Sequence, residues 1–112
     1  MVKKITIKAN IIDFNLASSK EVCEILSLRL RQQRLLKNLK QQDLANMAGV
    51  SLGTIKNLES KAQCSFDSLI RIVMALNLQQ ELSSLFEIKL NSIEQMEKIE
   101  KLSTPNIRRR AR

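Results

Sequence analysis

Side chains able to act as general bases, nucleophiles or metal ligands are scarce in this chain of 112 residues. It has no His, no Trp and no Tyr, with two Cys, two Gly and one Pro. Without His there is no Ser-His-Asp triad, no Cys-His nucleophile and no imidazole to hold a metal. Cys23 and Cys64 stand far apart, and two thiolates do not fill a four-ligand zinc site. Two glycines leave no Gly-rich phosphate loop. Neither catalysis nor a cofactor nor a metal is expected. What remains is hydrogen bonding and positive charge. The chain's Lys, Arg, Gln, Asn, Ser and Thr side chains carry it. Amides, hydroxyls and ammonium groups bind through donors, acceptors and charge.

The charge balance agrees. Nineteen Lys+Arg stand against eleven Asp+Glu, a formal net charge of +8. A strongly basic small protein is a binder of anionic surfaces. The charge is uneven: residues 1–8 and 20–61 are basic, 62–107 mildly acidic, and Arg108, Arg109, Arg110 and Arg112 close the chain. An apolar share of 44 % suits a globular fold. The length suits one small domain with modest extensions. No apolar run is long enough to span a bilayer, and no hydrophobic signal core follows the basic start, so a cytoplasmic protein is expected. Buried, unpaired thiols are expected of the two cysteines.

The elements that must position these residues are helical. Residues 1–8 are the exception: Ile5 and Ile7 alternate with Lys4, Thr6 and Lys8, which predicts a short strand. A lone strand needs a partner to pair with. From residue 18 or 19 to about 37 the spacing predicts a helix opened by a serine cap and Glu21, with Val22, Leu26 and Leu30 on its apolar face. A short helix follows over 41–47, placing Leu44 and Ala48 inward and ending at Gly49. Ser51 caps a third over 52–60, with Ile55 and Leu58 inward. Ser65 caps a fourth over 66–76, with Leu69, Ile72, Val73 and Leu76 inward. A fifth is predicted over 79–86. Ser92 and Gln95 form a capping-box pattern that opens a last amphipathic helix through Ile93, Met96, Ile99 and Leu102, which Ser103, Thr104 and Pro105 should stop.

Two short helices joined by a tight glycine turn, the second capped by serine, describe a helix-turn-helix. Ala45 is small where the two helices cross. Val50 and Ile55 pack underneath, leaving the outer face of the second helix free to enter a DNA major groove. That face bears Ser51, Leu52, Thr54, Lys56 and Asn57.

Gln41, Leu44-Ala45, Gly49-Val50-Ser51, Thr54-Ile55 and Leu58-Glu59 fall at the spacing of the Xre/Cro family of helix-turn-helix repressors, which residues 24–87 resemble. The resemblance implies an all-α fold with a five-helix, lambda-repressor-like domain over 18–87. Residues 1–17 would be an N-terminal strand and arm, and 88–112 a C-terminal helix with an Arg-rich tail. It implies that Gln41 contacts a DNA phosphate. It places Ser51, Leu52, Gly53, Thr54, Lys56 and Asn57 on the recognition face, with Lys61 within reach of phosphate. Asn57 is the residue suited to a bidentate contact with adenine, since an amide offers donor and acceptor together. Leu52 suits a thymine methyl, and Gly53 close backbone approach. Lys40 stands where the family has a capping Ser/Thr, so that cap should be weakened or moved. Arg34 and Glu59 occupy the positions of a buried salt bridge.

The implied function is repression of a promoter by a homodimer on a palindromic double-stranded operator. The overall organisation also resembles HipB-like antitoxins, which partner HipA-like Ser/Thr kinase toxins. A stand-alone or phage-type repressor, or a protein-interaction module that mainly neutralises a toxin, are the other readings. The Ile93–Leu102 stripe suits either a helix capping the domain or a seam for a second protomer or partner. The final arginines suit a solubilising tail, a phosphate-binding arm or a contact with an acidic surface.

Overall fold

The computed structural model describes residues 13–111. The strand expected over 1–8 lies outside them. Among the described residues there are six helices and no strand. They are α1 (Ser19–Leu36), α2 (Gln41–Ala48), α3 (Leu52–Lys61), α4 (Phe66–Ala75), α5 (Gln79–Ser83) and α6 (Ile93–Ala111). No described helix is long and apolar enough to cross a membrane.

Local chemistry sets the boundaries. The Ser18 hydroxyl accepts from the Glu21 amide at 3.1 Å, and the Glu21 carboxylate accepts from the Ser18 amide at 3.0 Å. This reciprocal box satisfies two amides that no helical carbonyl reaches. α1 ends where Asn38 turns left-handed at φ 58°. Gly49, at φ 70°, ends α2 in the region that favours glycine. Ser51 and Ser65 accept from the amides of Thr54 and Ser68, each at 3.1 Å, and so open α3 and α4. Lys40 has no side-chain acceptor and makes no cap bond. Its own amide donates to Asp43 Oδ2 at 2.8 Å, so only the reciprocal half of the box remains.

The core lies where α2, α3 and α4 meet. Leu44, Ala45, Ala48, Ile55, Leu58, Ile72 and Leu76 form one buried cluster, with Leu30, Leu39 and Leu78 packed against it. Burying large aliphatic side chains of this kind contributes about 1.5–3 kcal/mol each.

Several expectations need correction. On α1 the buried residues are Ile25, Ser27 and Arg34, while Leu26 is 44 % exposed. Steps of four residues drift around a helix of 3.6 residues per turn. The face that packs also includes two polar residues held by hydrogen bonds, which an apolar pattern does not flag. α5 stops at Ser83 rather than 86. Phe86 is left-handed at φ 57° and 93 % exposed, a conformation that takes the chain out of the helix. α6 continues through Pro105 to Ala111. Proline disfavours the helical conformation of the preceding residue without forbidding it, and the Arg-rich stretch beyond propagates helix well. Cys23 and Cys64 are both free, yet exposed rather than buried. Partial burial still pushes the Cys64 thiol above its ordinary pKa. On α6, Ile93 and Leu102 are 73 % and 71 % exposed.

Candidate nucleic-acid interface

α2 and α3 are held at a close crossing by small and apolar residues. Ala45 and Ile55 are both 0 % exposed, and Leu58 is 5 % exposed. The turn between the helices is fixed by Gly49 and by the Val50 amide, which donates to the Ala45 carbonyl at 3.0 Å. With the inner face of α3 occupied, its outer face turns to solvent. Ser51, Gly53, Lys56, Asn57 and Lys61 are exposed there, and Leu52 and Thr54 are half-buried.

The hydrogen bonds divide these residues into two kinds. The Ser51 hydroxyl accepts the Thr54 amide and lies 2.9 Å from the Thr54 hydroxyl. Both side chains are therefore engaged in starting the helix. Lys56 and Asn57 present an ammonium and a carboxamide on the same exposed surface. Gly53 has no packing requirement: a Cβ there would meet only the Ser51 hydroxyl, at an ordinary 3.7 Å. Its bare backbone leaves room for a close approach from outside.

Behind this face stands Glu59. Its carboxylate accepts from Arg34 Nε at 2.7 Å and Arg34 Nη2 at 2.9 Å. The two side chains are each 7 % exposed. Arg34 also donates through Nη1 to the Leu39 carbonyl at 2.7 Å, so α1, its exit and α3 are tied by one guanidinium. Fork-shaped pairing of this kind fixes geometry as well as charge. Arg31 lies 3.8 Å from the same carboxylate. The Ser27 hydroxyl donates to the Leu58 carbonyl, a second polar tie between α1 and α3. Among the described residues no buried side-chain polar atom lacks a partner.

Family resemblance implies a phosphate contact for Gln41, and the structure gives its side chain a protein partner. Its Nε2 donates to Glu59 Oε1 at 3.0 Å. Gln41, half-buried, is the first residue of α2 and so stands at the helix N-terminus. That end of a helix carries partial positive charge and open backbone amides, an arrangement suited to an anion. Neither the Gln41–Glu59 nor the Ser27–Leu58 contact has a signal in residue spacing, since each joins residues on different helices. On the outer face of α2 the Gln42 amide donates to Asn46 Oδ1 at 2.9 Å. Lys56 and Lys61 on α3, and Lys40 just before α2, are exposed cations. No group of three or more Cys, Asp or Glu able to hold a metal occurs among the described residues.

No match is found among curated proteins. Residues 30–79, from the second half of α1 to the start of α5, match a family model described as Helix-turn-helix, which supports a DNA-binding transcription regulator.

Proposed function

We propose that this protein is a sequence-specific repressor that binds double-stranded DNA as a dimer on a palindromic operator. One observation carries the reading. The capped helix α3 buries Ile55 and Leu58 while its opposite face exposes Lys56, Asn57 and Gly53. That is the arrangement needed to set a polar helix face into a major groove, with the preceding helix across the backbone. In this reading Asn57 reads a base edge, and Lys56 takes guanine or phosphate. Leu52 meets a thymine methyl, and Gly53 lets the backbone close in. Ser51 and Thr54 support the helix start at the groove. Gln41, Lys61 and the amides of α2 hold phosphates. Two copies would set two such helices one turn of DNA apart, ~34 Å.

Binding of the purified chain to its own promoter DNA, with and without Lys56→Ala and Asn57→Ala together, tests this. The parent should shift its promoter in preference to unrelated DNA, and the double variant should not. Equal binding by both proteins overturns the assignment.

The organisation resembling HipB-like antitoxins extends the proposal to a HipA-like Ser/Thr kinase partner that would act as co-repressor. Co-purification with a kinase encoded beside this chain is the test. The Lys56→Ala, Asn57→Ala variant should retain that complex while losing the operator.

A further inference from the structure

Two hydroxyls touch at the head of α3. Ser51 Oγ accepts from the Thr54 amide at 3.1 Å and lies 2.9 Å from Thr54 Oγ1. Among the described residues neither hydroxyl has a further partner. Each hydroxyl owns one hydrogen and can accept through two lone pairs. The amide occupies one lone pair of Ser51. The bond between the two oxygens uses one of the two hydroxyl hydrogens, whichever oxygen supplies it. If Thr54 donates, the hydrogen of Ser51 is left over. If Ser51 donates, that of Thr54 is left over. The pair therefore always has one O–H to offer, from either of two adjacent oxygens.

Gly53 leaves that donor uncovered. A Cβ at position 53 would stand 3.7 Å from Ser51 Oγ, so a larger side chain there would crowd the approach to the hydroxyl. The fold itself has no use for this glycine. Its φ is not left-handed and no neighbour needs the space. A glycine inside a helix weakens it, so the residue costs stability where it stands.

We infer that Ser51 and Thr54 act as one base-reading group, donating a single hydrogen bond past Gly53 to an acceptor on a base edge. Guanine O6 or N7, adenine N7 and thymine O4 are such acceptors in the major groove, whereas cytosine presents a donor there and is rejected. The inference rests on the duplex-DNA reading and deepens it, since that reading gives the two hydroxyls only a supporting part. Residues at the N-terminal end of a groove-bound helix are the ones that meet base edges. Lys56, exposed on the same surface, favours an electronegative partner for the spare hydrogen. Because one hydrogen is shared out between two oxygens, removing either hydroxyl leaves the other free to donate. Only removing both abolishes the contact.

The test compares binding of the full chain to its own promoter fragment for the parent, Ser51→Gly, Thr54→Val, the double variant and Gly53→Ala. Glycine caps a helix nearly as well as serine, and valine copies the shape of threonine, so circular dichroism should show all of them folded. Each single hydroxyl variant should lose less than ~3-fold in affinity and the double variant at least ~10-fold. Gly53→Ala should raise the melting midpoint by ~2–8 °C and yet bind at least ~3-fold more weakly. A scan of base substitutions should find a position where cytosine is penalised by the parent and tolerated by the double variant. A single variant as weak as the double overturns the shared donor, and Gly53→Ala binding as the parent does overturns the approach past Gly53. A methylphosphonate penalty that vanishes in the double variant makes the partner a phosphate oxygen and overturns the base reading. A double variant that binds like a parent still selective for its promoter overturns this inference alone. A parent that does not distinguish its promoter from scrambled DNA overturns the DNA reading and this inference with it.

Discussion

Glu59→Gln keeps the size of the side chain and removes its charge, so it isolates what the carboxylate contributes. That carboxylate sits with Arg34 at 7 % side-chain exposure and takes two Arg34 hydrogen bonds at 2.7 and 2.9 Å. A glutamine offers one oxygen and turns an NH2 group toward a donor. At most one of the two bonds survives, and the guanidinium loses its counter-charge. Stranding one partner of a buried pair costs about 3–5 kcal/mol. Arg34 keeps its bond to the Leu39 carbonyl, which places the expected loss at the low end, ~3 kcal/mol. For a domain of this size the midpoint of thermal unfolding should then fall by ~12–24 °C. Circular dichroism melts of parent and variant measure it. DNA binding, compared at a temperature where both are folded, should weaken only modestly, through the Gln41 amide that donates to Glu59 at 3.0 Å. A midpoint within about 3 °C of the parent, as a surface substitution gives, refutes the structural role. So does a variant that melts normally and fails on DNA.

Further expectations concern other parts of the fold. If Glu59 acts on DNA through Gln41, its small binding penalty should vanish in a Gln41→Ala background while its melting penalty persists; a double-mutant cycle reads both. Lys56→Ala with Asn57→Ala should abolish operator binding and leave stability within ~0.5 kcal/mol, since both side chains are exposed; denaturant titration checks the second half. Gly49→Ala should cost about 1–2 kcal/mol, because the strain lies in the left-handed backbone. The new methyl itself would have room, with Arg71 Nη1 3.6 Å away. Gly49→Asn should cost less, and equal losses would place the cost in packing instead. Burial raises the Cys64 pKa, so its thiolate fraction at neutral pH is low. Alkylation there should be slow near pH ~7 and accelerate as pH rises past the usual thiol range of ~8–9. A pH-independent rate, followed by mass spectrometry, contradicts that.

What was legible in the sequence was local. Gly49 and Ser51 announce the end of α2 and the start of α3 because each satisfies a backbone requirement few other residues meet. Leu44, Ile55, Leu58 and Ile72 follow from helical period. The buried face of α1 was not legible, since Ser27 and Arg34 are buried by hydrogen bonds to α3 and no apolar pattern reports them. The contact between Arg34 and Glu59, 25 residues apart, is implied by family resemblance and has no signature in spacing. Gln41 reaching Glu59 is a tertiary fact of the same kind. The end of α5 turned on the left-handed Phe86, a conformation that a bulky aromatic rarely adopts and that sequence therefore argues against. Pro105 misled because its effect on helix is a bias that neighbouring residues overcome.

The central claim is that α2 and α3 bind duplex DNA through charge and base contacts, and one titration tests it most directly. Binding of the purified chain to its own promoter fragment is measured across a range of salt, beside a scrambled fragment. Lys40, Lys56 and Lys61 are exposed in each protomer, so a dimer neutralising six phosphates should show log affinity falling with log salt at a slope of about −5. Its promoter should remain favoured over the scrambled fragment throughout. A flat salt response, or equal affinity for both fragments, contradicts the account.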